Sequence, residues 1–167
     1  MTLRNKKGLV LESKFDLVLL EKVEVLDLSW HLKWDNKAKS YYVKASQTFF
    51  GENNKRKQTT VHLHRLLTDA QGSHLFVDHI NHDTLDNRIS NLRITTKTQN
   101  SKNRANANSN NKSGYRNVSW SYNKWVVQLQ VDGKGRVLGK FPADQLEEAA
   151  EYAEQMRREI YGEFAGK

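Results

Sequence analysis

Short alternating runs of apolar and polar residues punctuate the chain. Trp30-His31-Leu32-Lys33-Trp34 alternates at strand period, Asp35-Asn36-Lys37 supplies turn residues, and Tyr41-Tyr42-Val43-Lys44-Ala45 alternates again, which predicts a hairpin. Ahead of it, Lys14 to Leu28 is apolar enough to be expected in a core, through Phe15, Leu17, Val18, Leu19, Leu20, Val23, Val25, Leu26 and Leu28. Residues 1–60 therefore read as a β-rich lead-in.

The pattern then changes. Val61-His62-Leu63-His64-Arg65-Leu66-Leu67 reads as a short helix, followed by a strand ending at Asp78-His79, a polar loop, and a helix from about Thr96. Asp78, His79, His82, Asp83, Asp86, Asn87, Arg88, Asn91 and Asn100 crowd into this loop and its flanks. Val77, Ile80, Leu85, Ile89, Leu92 and Ile94 lie between them, so the stretch can fold around its polar groups. Asp83, Asp86 and Asn87 are read as turn residues satisfying local backbone, and His62 and His64 as histidines facing a core.

Residues 105–111 are rich in Asn and Ser with no large apolar side chain, which makes them a linker. From Lys112 a second module begins. Tyr115 to Trp120 alternates, Ser121-Tyr122-Asn123 turns, and Lys124 to Val131 alternates again. Asp132-Gly133-Lys134-Gly135 is a hairpin signal, Arg136 to Phe141 is a third strand, and Pro142 ends the sheet. Asp144 is expected to cap a helix reaching about Tyr161, with Leu146, Ala149, Ala150, Ala153, Met156 and Ile160 at helical spacing and Gly162 as its stop.

Charge sharpens this picture. The chain of 167 residues carries a net charge of +8, which favours a polyanionic partner. In residues 1–60, 12 Lys and Arg stand against 7 acids. Residues 112–140 hold six basic residues against Asp132 alone, while residues 144–163 hold seven acids against Arg157 and Arg158. The sheet of the second module is thus expected to face a polyanion and its helix to back it. Gly51 to Lys57 is either a phosphate-tracking loop or a solvated hairpin tip. The absence of cysteine excludes disulfides and Cys-ligated zinc. No apolar run approaches the roughly 20 residues of a membrane span, and no apolar signal region opens the chain. A soluble, cytoplasmic protein with no membrane partner is expected.

The residue types suit phosphodiester hydrolysis. An imidazole with an ordinary pKa near 6.5 can take a proton from water at neutral pH. A hard cation such as Mg²⁺ needs only one or two protein oxygen ligands. The Asp78-His79 pair, with Asn 12 residues beyond His79 and a second Asn 9 further on, resembles the HNH endonuclease motif in the form that ends in asparagine. The resemblance implies a ββα-metal (His-Me finger) nuclease over residues 61–104. It implies His79 as general base, Asn91 closing the loop and orienting His79, and Asp78 and Asn100 on a divalent metal, Mg²⁺ or Mn²⁺. Residues 112–165, through SGYRNVSW, KWVVQLQV, LGKF and EEAAEYAEQMRREIYGEFA, resemble the Apetala-two (ethylene-response-factor) DNA-binding domain, a three-stranded antiparallel sheet packed on one helix.

An α+β chain is expected, acting as a monomer on double-stranded DNA. Arg93, Arg116, Lys124, Trp125, Lys134, Arg136 and Lys140 are the candidate DNA contacts, with Trp125 equally a core aromatic. The arrangement resembles phage homing nickases, which would place the protein in host cytoplasm. A DNA-binding regulator on an inactive nuclease scaffold is the alternative.

Overall fold

Alternation and turn chemistry build most of the elements in the computed structural model, which describes residues 1–104 and 106–166. The fold is mixed α+β, and the chain divides into two compact units, Met1–Lys97 and Thr98–Lys167. Ala105, at the start of the expected linker, lies outside the described residues. Among the described residues no helix is long and apolar enough to cross a membrane.

The first unit opens with a small hairpin, β1 (Thr2–Arg4) and β2 (Val10–Glu12), and a short helix, α1 (Leu20–Glu24). Strands β3 (His31–Asp35), β4 (Ser40–Phe50) and β5 (Arg56–His62) follow as an antiparallel sheet in the order β3-β4-β5. The chain turns directly into α2 (Leu63–Leu67), then forms the hairpin β6 (Phe76–His79) and β7 (Leu92–Thr95), whose register sets His79 opposite Leu92. Val61 and His62 are strand residues, so the helix begins two residues later than its sequence pattern implies.

Residues 1–60 are not a separate layer. Leu3, Val23, Leu32 and Val43 share one core with Leu63, Leu67 and Leu92. Only Val23 of the apolar run from Lys14 to Leu28 is fully buried, whereas Leu17, Val18 and Val25 are 81%, 88% and 72% exposed. That run is too short in helix, five residues in α1, to hide more than one face.

The second unit begins with α3 (Lys97–Lys102 by its helical span) and continues as a sheet of β8 (Val118–Ser121), β9 (Lys124–Val131) and β10 (Lys134–Phe141), all antiparallel in the order β10-β9-β8. The β8–β9 turn sets Tyr122 and Asn123 at positive φ, and the β9–β10 turn does the same to Asp132 and Gly133. Both match the right-handed twist of the flanking strands. Helix α4 (Leu146–Tyr161) packs Ala149 and Ala153 onto Val118, Val127 and Leu129. Gln145, not Asp144, holds its N-cap position, and Gly162 at φ 54° ends it where a side chain would be strained.

The two classes of apolar residue in the first unit should respond differently to truncation. Leu63 is wholly buried, so Leu63→Ala should cost about 2–5 kcal/mol in urea unfolding. Val18→Ala should stay within about 0.5 kcal/mol. Equal losses at both positions would contradict this core.

Candidate active site

Strand β6 delivers Asp78 and His79 to its end, and a twelve-residue loop separates His79 from β7. Such a loop holds many polar backbone groups, and Asn91 satisfies several. Its Oδ1 accepts the Asn81 N–H at 3.0 Å, its Nδ2 donates to the Asp86 carbonyl at 2.8 Å, and its own carbonyl accepts Ile80 N–H at 2.9 Å. Asn91 therefore ties the two ends of the loop together. Asp86, a buried carboxylate, is gripped by Arg88 through Nε at 2.7 Å and NH2 at 2.6 Å, and that pairing lowers its pKa to about 2. Asp83 is the ordinary turn residue expected, accepting Leu85 N–H.

The ring of His79 is held by a different residue from the one expected. His79 Nε2 lies 3.2 Å from Asn87 Oδ1, and both side chains are buried. The Asn87 amide cannot be reversed, because its Nδ2 donates to the Leu85 carbonyl at 3.3 Å and to Ser13 Oγ at 2.9 Å. A carbonyl only accepts, so nitrogen faces Leu85 and oxygen faces His79. Nε2 therefore carries the proton, and the basic lone pair sits on Nδ1. Asn87 is thus a positioning residue, not the turn residue its sequence context implied. Asn91 orients the loop, and Asn87 orients the ring.

Burial lowers the His79 pKa, with the Asn87 hydrogen bond and Asp78 opposing it. The imidazole is accordingly neutral at pH 7 and able to accept a proton. Beside it lie two more histidines. His64 stacks edge-on to His79 with ring centroids 5.3 Å apart, and His62 sits 5.4 Å from His64. Burial, then the neighbouring His79 and His62, pushes His64 down to about 2, and burial pushes His62 down to about 4. Tyr42 of β4 closes the cluster at 6.1 Å from His79.

Asp78 Oδ2 accepts Arg93 Nε at 2.9 Å and NH2 at 2.8 Å. Arg93, expected to touch DNA, is instead nearly buried in this ion pair. Asn100 lies half-buried on α3, in the second unit. Among the described residues no three of His, Cys, Asp and Glu gather as a metal cluster. By donor chemistry alone, a carboxylate such as Asp78 and an amide oxygen such as Asn100 are the types that suit Mg²⁺ or Mn²⁺.

The model of the HNH endonuclease family matches residues 61–102. A phage protein, Protein 3.8 of Escherichia phage T7, is 32% identical over 92 residues, covering 54% of this chain and 73% of that protein. The chain belongs to the HNH endonuclease family. An uncharacterised HNH endonuclease of Acanthamoeba polyphaga mimivirus is 38% identical over 93 residues, or 56% of this chain, which spans 46% of that relative's length. No solved structure matches this HNH endonuclease.

The second unit sorts the remaining DNA candidates. Arg116 is buried, with NH1 donating to the Ala165 carbonyl at 3.1 Å and NH2 to the Lys102 carbonyl at 2.8 Å. It ties chain segments together and is unavailable as an exposed reader of guanine. Trp125 is half-buried, meets Trp120 edge-on at 4.6 Å, and donates Nε1–H to the Ala143 carbonyl, so it stands as a core aromatic. Lys124, Lys134, Arg136 and Lys140 are exposed. Register places Lys124 and Lys140 on the helix-free face with Ser119, Val126 and Gln128. Lys134 and Arg136 pair with Val131 and Leu129 and so point to the other face.

Two outcomes test this geometry. Unfolded His64 binds a proton below about pH 6.5 while the folded ring stays neutral down to about 2, so stability falls as pH drops through that window. His64→Gln should flatten the urea-measured slope by about 1.4 kcal/mol per pH unit between pH 6 and 4. Asn87→Ala should lower endonuclease activity by about 10–100-fold without shifting the circular-dichroism spectrum. Full activity in that variant would release His79 from Asn87.

Proposed function

We propose that this HNH endonuclease is a metal-dependent nickase acting on double-stranded DNA, with His79 as general base. The observation that carries the reading is the buried imidazole, fixed by Asn87 with its lone pair on Nδ1 and kept neutral by desolvation. Water attacking phosphorus loses its proton to that lone pair as negative charge builds on phosphate. Asp78 and Asn100 would hold the divalent cation that HNH nucleases in general use, and its charge would stabilise the departing 3′ oxygen. Arg93 keeps the Asp78 carboxylate oriented, and Asn91 keeps the loop closed. The chain order β6-β7-α3 supports a ββα-metal arrangement.

The second unit serves as the targeting module in this reading. Its three-stranded sheet on one helix supports the likeness to the Apetala-two domain, and its helix-free face presents Lys124 and Lys140 to the duplex. A motif with one base and one metal site fits cleavage of one strand per encounter by a monomer. A homing-type role in host cytoplasm completes this reading, and the phage origin of one relative is compatible with it.

A plasmid nicking assay tests the reading. His79→Ala should slow nicking by about 10² to 10⁴ while leaving DNA affinity near wild type, and EDTA should silence the wild type. The lowered His79 pKa sets the direction of the pH profile: the acid limb should fall below pH 6.5. Nicking by His79→Ala at the wild-type rate would remove His79 from the chemistry.

A further inference from the structure

The sheet β3-β4-β5 has a face that neither the family match nor the targeting module accounts for. Antiparallel register puts His31, Lys44 and His62 in one row across the three strands, with Lys33 opposite Tyr42 in the next row. Residues directly opposite share a face. Leu32 and Val43, one position along, point the other way into the core. The polar face therefore belongs to Lys33 and Lys44, and it runs into the cluster around His79. Lys44 Nζ lies 5.8 Å from the Tyr42 ring centroid, Tyr42 lies 6.1 Å from His79, and His62 leads to His79 through His64.

A groove of about 710 Å³ opens along the edge strand β3, with Lys6 and Lys7 of the β1–β2 turn on its far wall. Lys6, Lys7, Lys33 and Lys44 line it, and none of its lining residues is acidic. The acid nearest in register, Asp35, accepts the amides of Lys37 and Ala38 at 2.9 Å each and keeps its charge, which Lys44 also feels, so one carboxylate stands at the end of the row outside the groove lining. Four ammonium groups line the concavity against this single neighbouring carboxylate, so the groove keeps a net positive charge and its cations repel one another. Such a surface is stabilised by a polyanion.

We propose that this face is the track for the phosphodiester backbone of duplex DNA beside the scissile phosphate, with Lys33 and Lys44 as its principal contacts. The proposal rests on the nuclease reading for its direction: the track leads to His79, so the polymer that reaches the base must cross it. Lys33 and Lys44 are diagonal neighbours about 7–8 Å apart, with Cβ atoms somewhat closer, and their long flexible stems can set the two ammonium groups on successive phosphates of one strand. Two phosphates of one strand can therefore be met without bending the duplex. A flexible ammonium is a point charge with no base preference, so this surface supplies affinity and register and leaves sequence choice elsewhere.

The test uses the full chain and a fluorescently labelled 30-base-pair duplex. Anisotropy is read across a salt series in EDTA, and nicking is read separately in Mg²⁺. Lys33→Gln/Lys44→Gln should flatten the slope of log affinity against log salt by about 1.8, or 0.9 for each lost phosphate contact. Lys33→Arg/Lys44→Arg should restore it, which separates lost charge from lost folding. Lys22→Gln, on α1, should keep the wild-type slope. An unchanged slope in the Gln pair overturns the track even if the wild type nicks DNA. A flattened slope with a wild type that never nicks upholds the track and defeats the nuclease reading. Binding confined to duplex RNA, or none at all, overturns the track.

Discussion

Everything chemical in the first unit depends on which way one amide points. Asn87 has a donor end and an acceptor end, and the Leu85 carbonyl and Ser13 Oγ fix the donor end. The acceptor end then decides the tautomer of His79. Turning the amide over would set its oxygen against the Leu85 carbonyl oxygen. In a buried site that mismatch would leave polar groups unsatisfied at a cost of about 1–3 kcal/mol each. Burial removes the charged form of the ring, and the amide selects which nitrogen keeps the lone pair. Neither effect alone would give a base of defined direction.

Elements built on local period were legible in the sequence. Strands β3, β4, β9 and β10 follow apolar alternation and turn residues, and α4 follows its row of alanines and leucine to Gly162. Asp78 and His79 end β6, and Asn91 lies just before β7, because the hairpin brings the two ends of its loop together. What escaped depends on partners far away in the chain. Asn87 looks like any turn asparagine until Ser13, 74 residues away, meets its Nδ2. Arg116 sits in an alternating run that implies exposure, yet backbone carbonyls at Ala165 and Lys102 draw its guanidinium inward. Arg93 carries a charge that composition assigns to DNA and geometry assigns to Asp78. A charge count cannot distinguish a cation with an internal partner from one facing solvent.

The two units handle positive charge in different ways. In the second, acids gather on α4 and bases on the strands, so polarity is set within one small sheet-and-helix layer. In the first, basic residues are dispersed along the sequence and become a surface only through strand register, as Lys33 and Lys44 show. Dispersed charges that fold into a row leave no local signature, whereas charges clustered in sequence do.

The segment Ser13–Asp16 has a wider consequence. Lys14 exchanges backbone hydrogen bonds with Leu85 and Asn87, and Asp16 Oδ2 accepts Ile89 N–H at 2.7 Å. It works as a strap across the loop that follows His79, although it lies ahead of residues 61–102, which carry the family match. The stretch that carries the family match is therefore shorter than the stretch that holds its loop in place. A motif of this kind cannot be transplanted alone into another host scaffold. Either the strap travels with it, or the recipient must supply other groups for the same backbone hydrogen bonds.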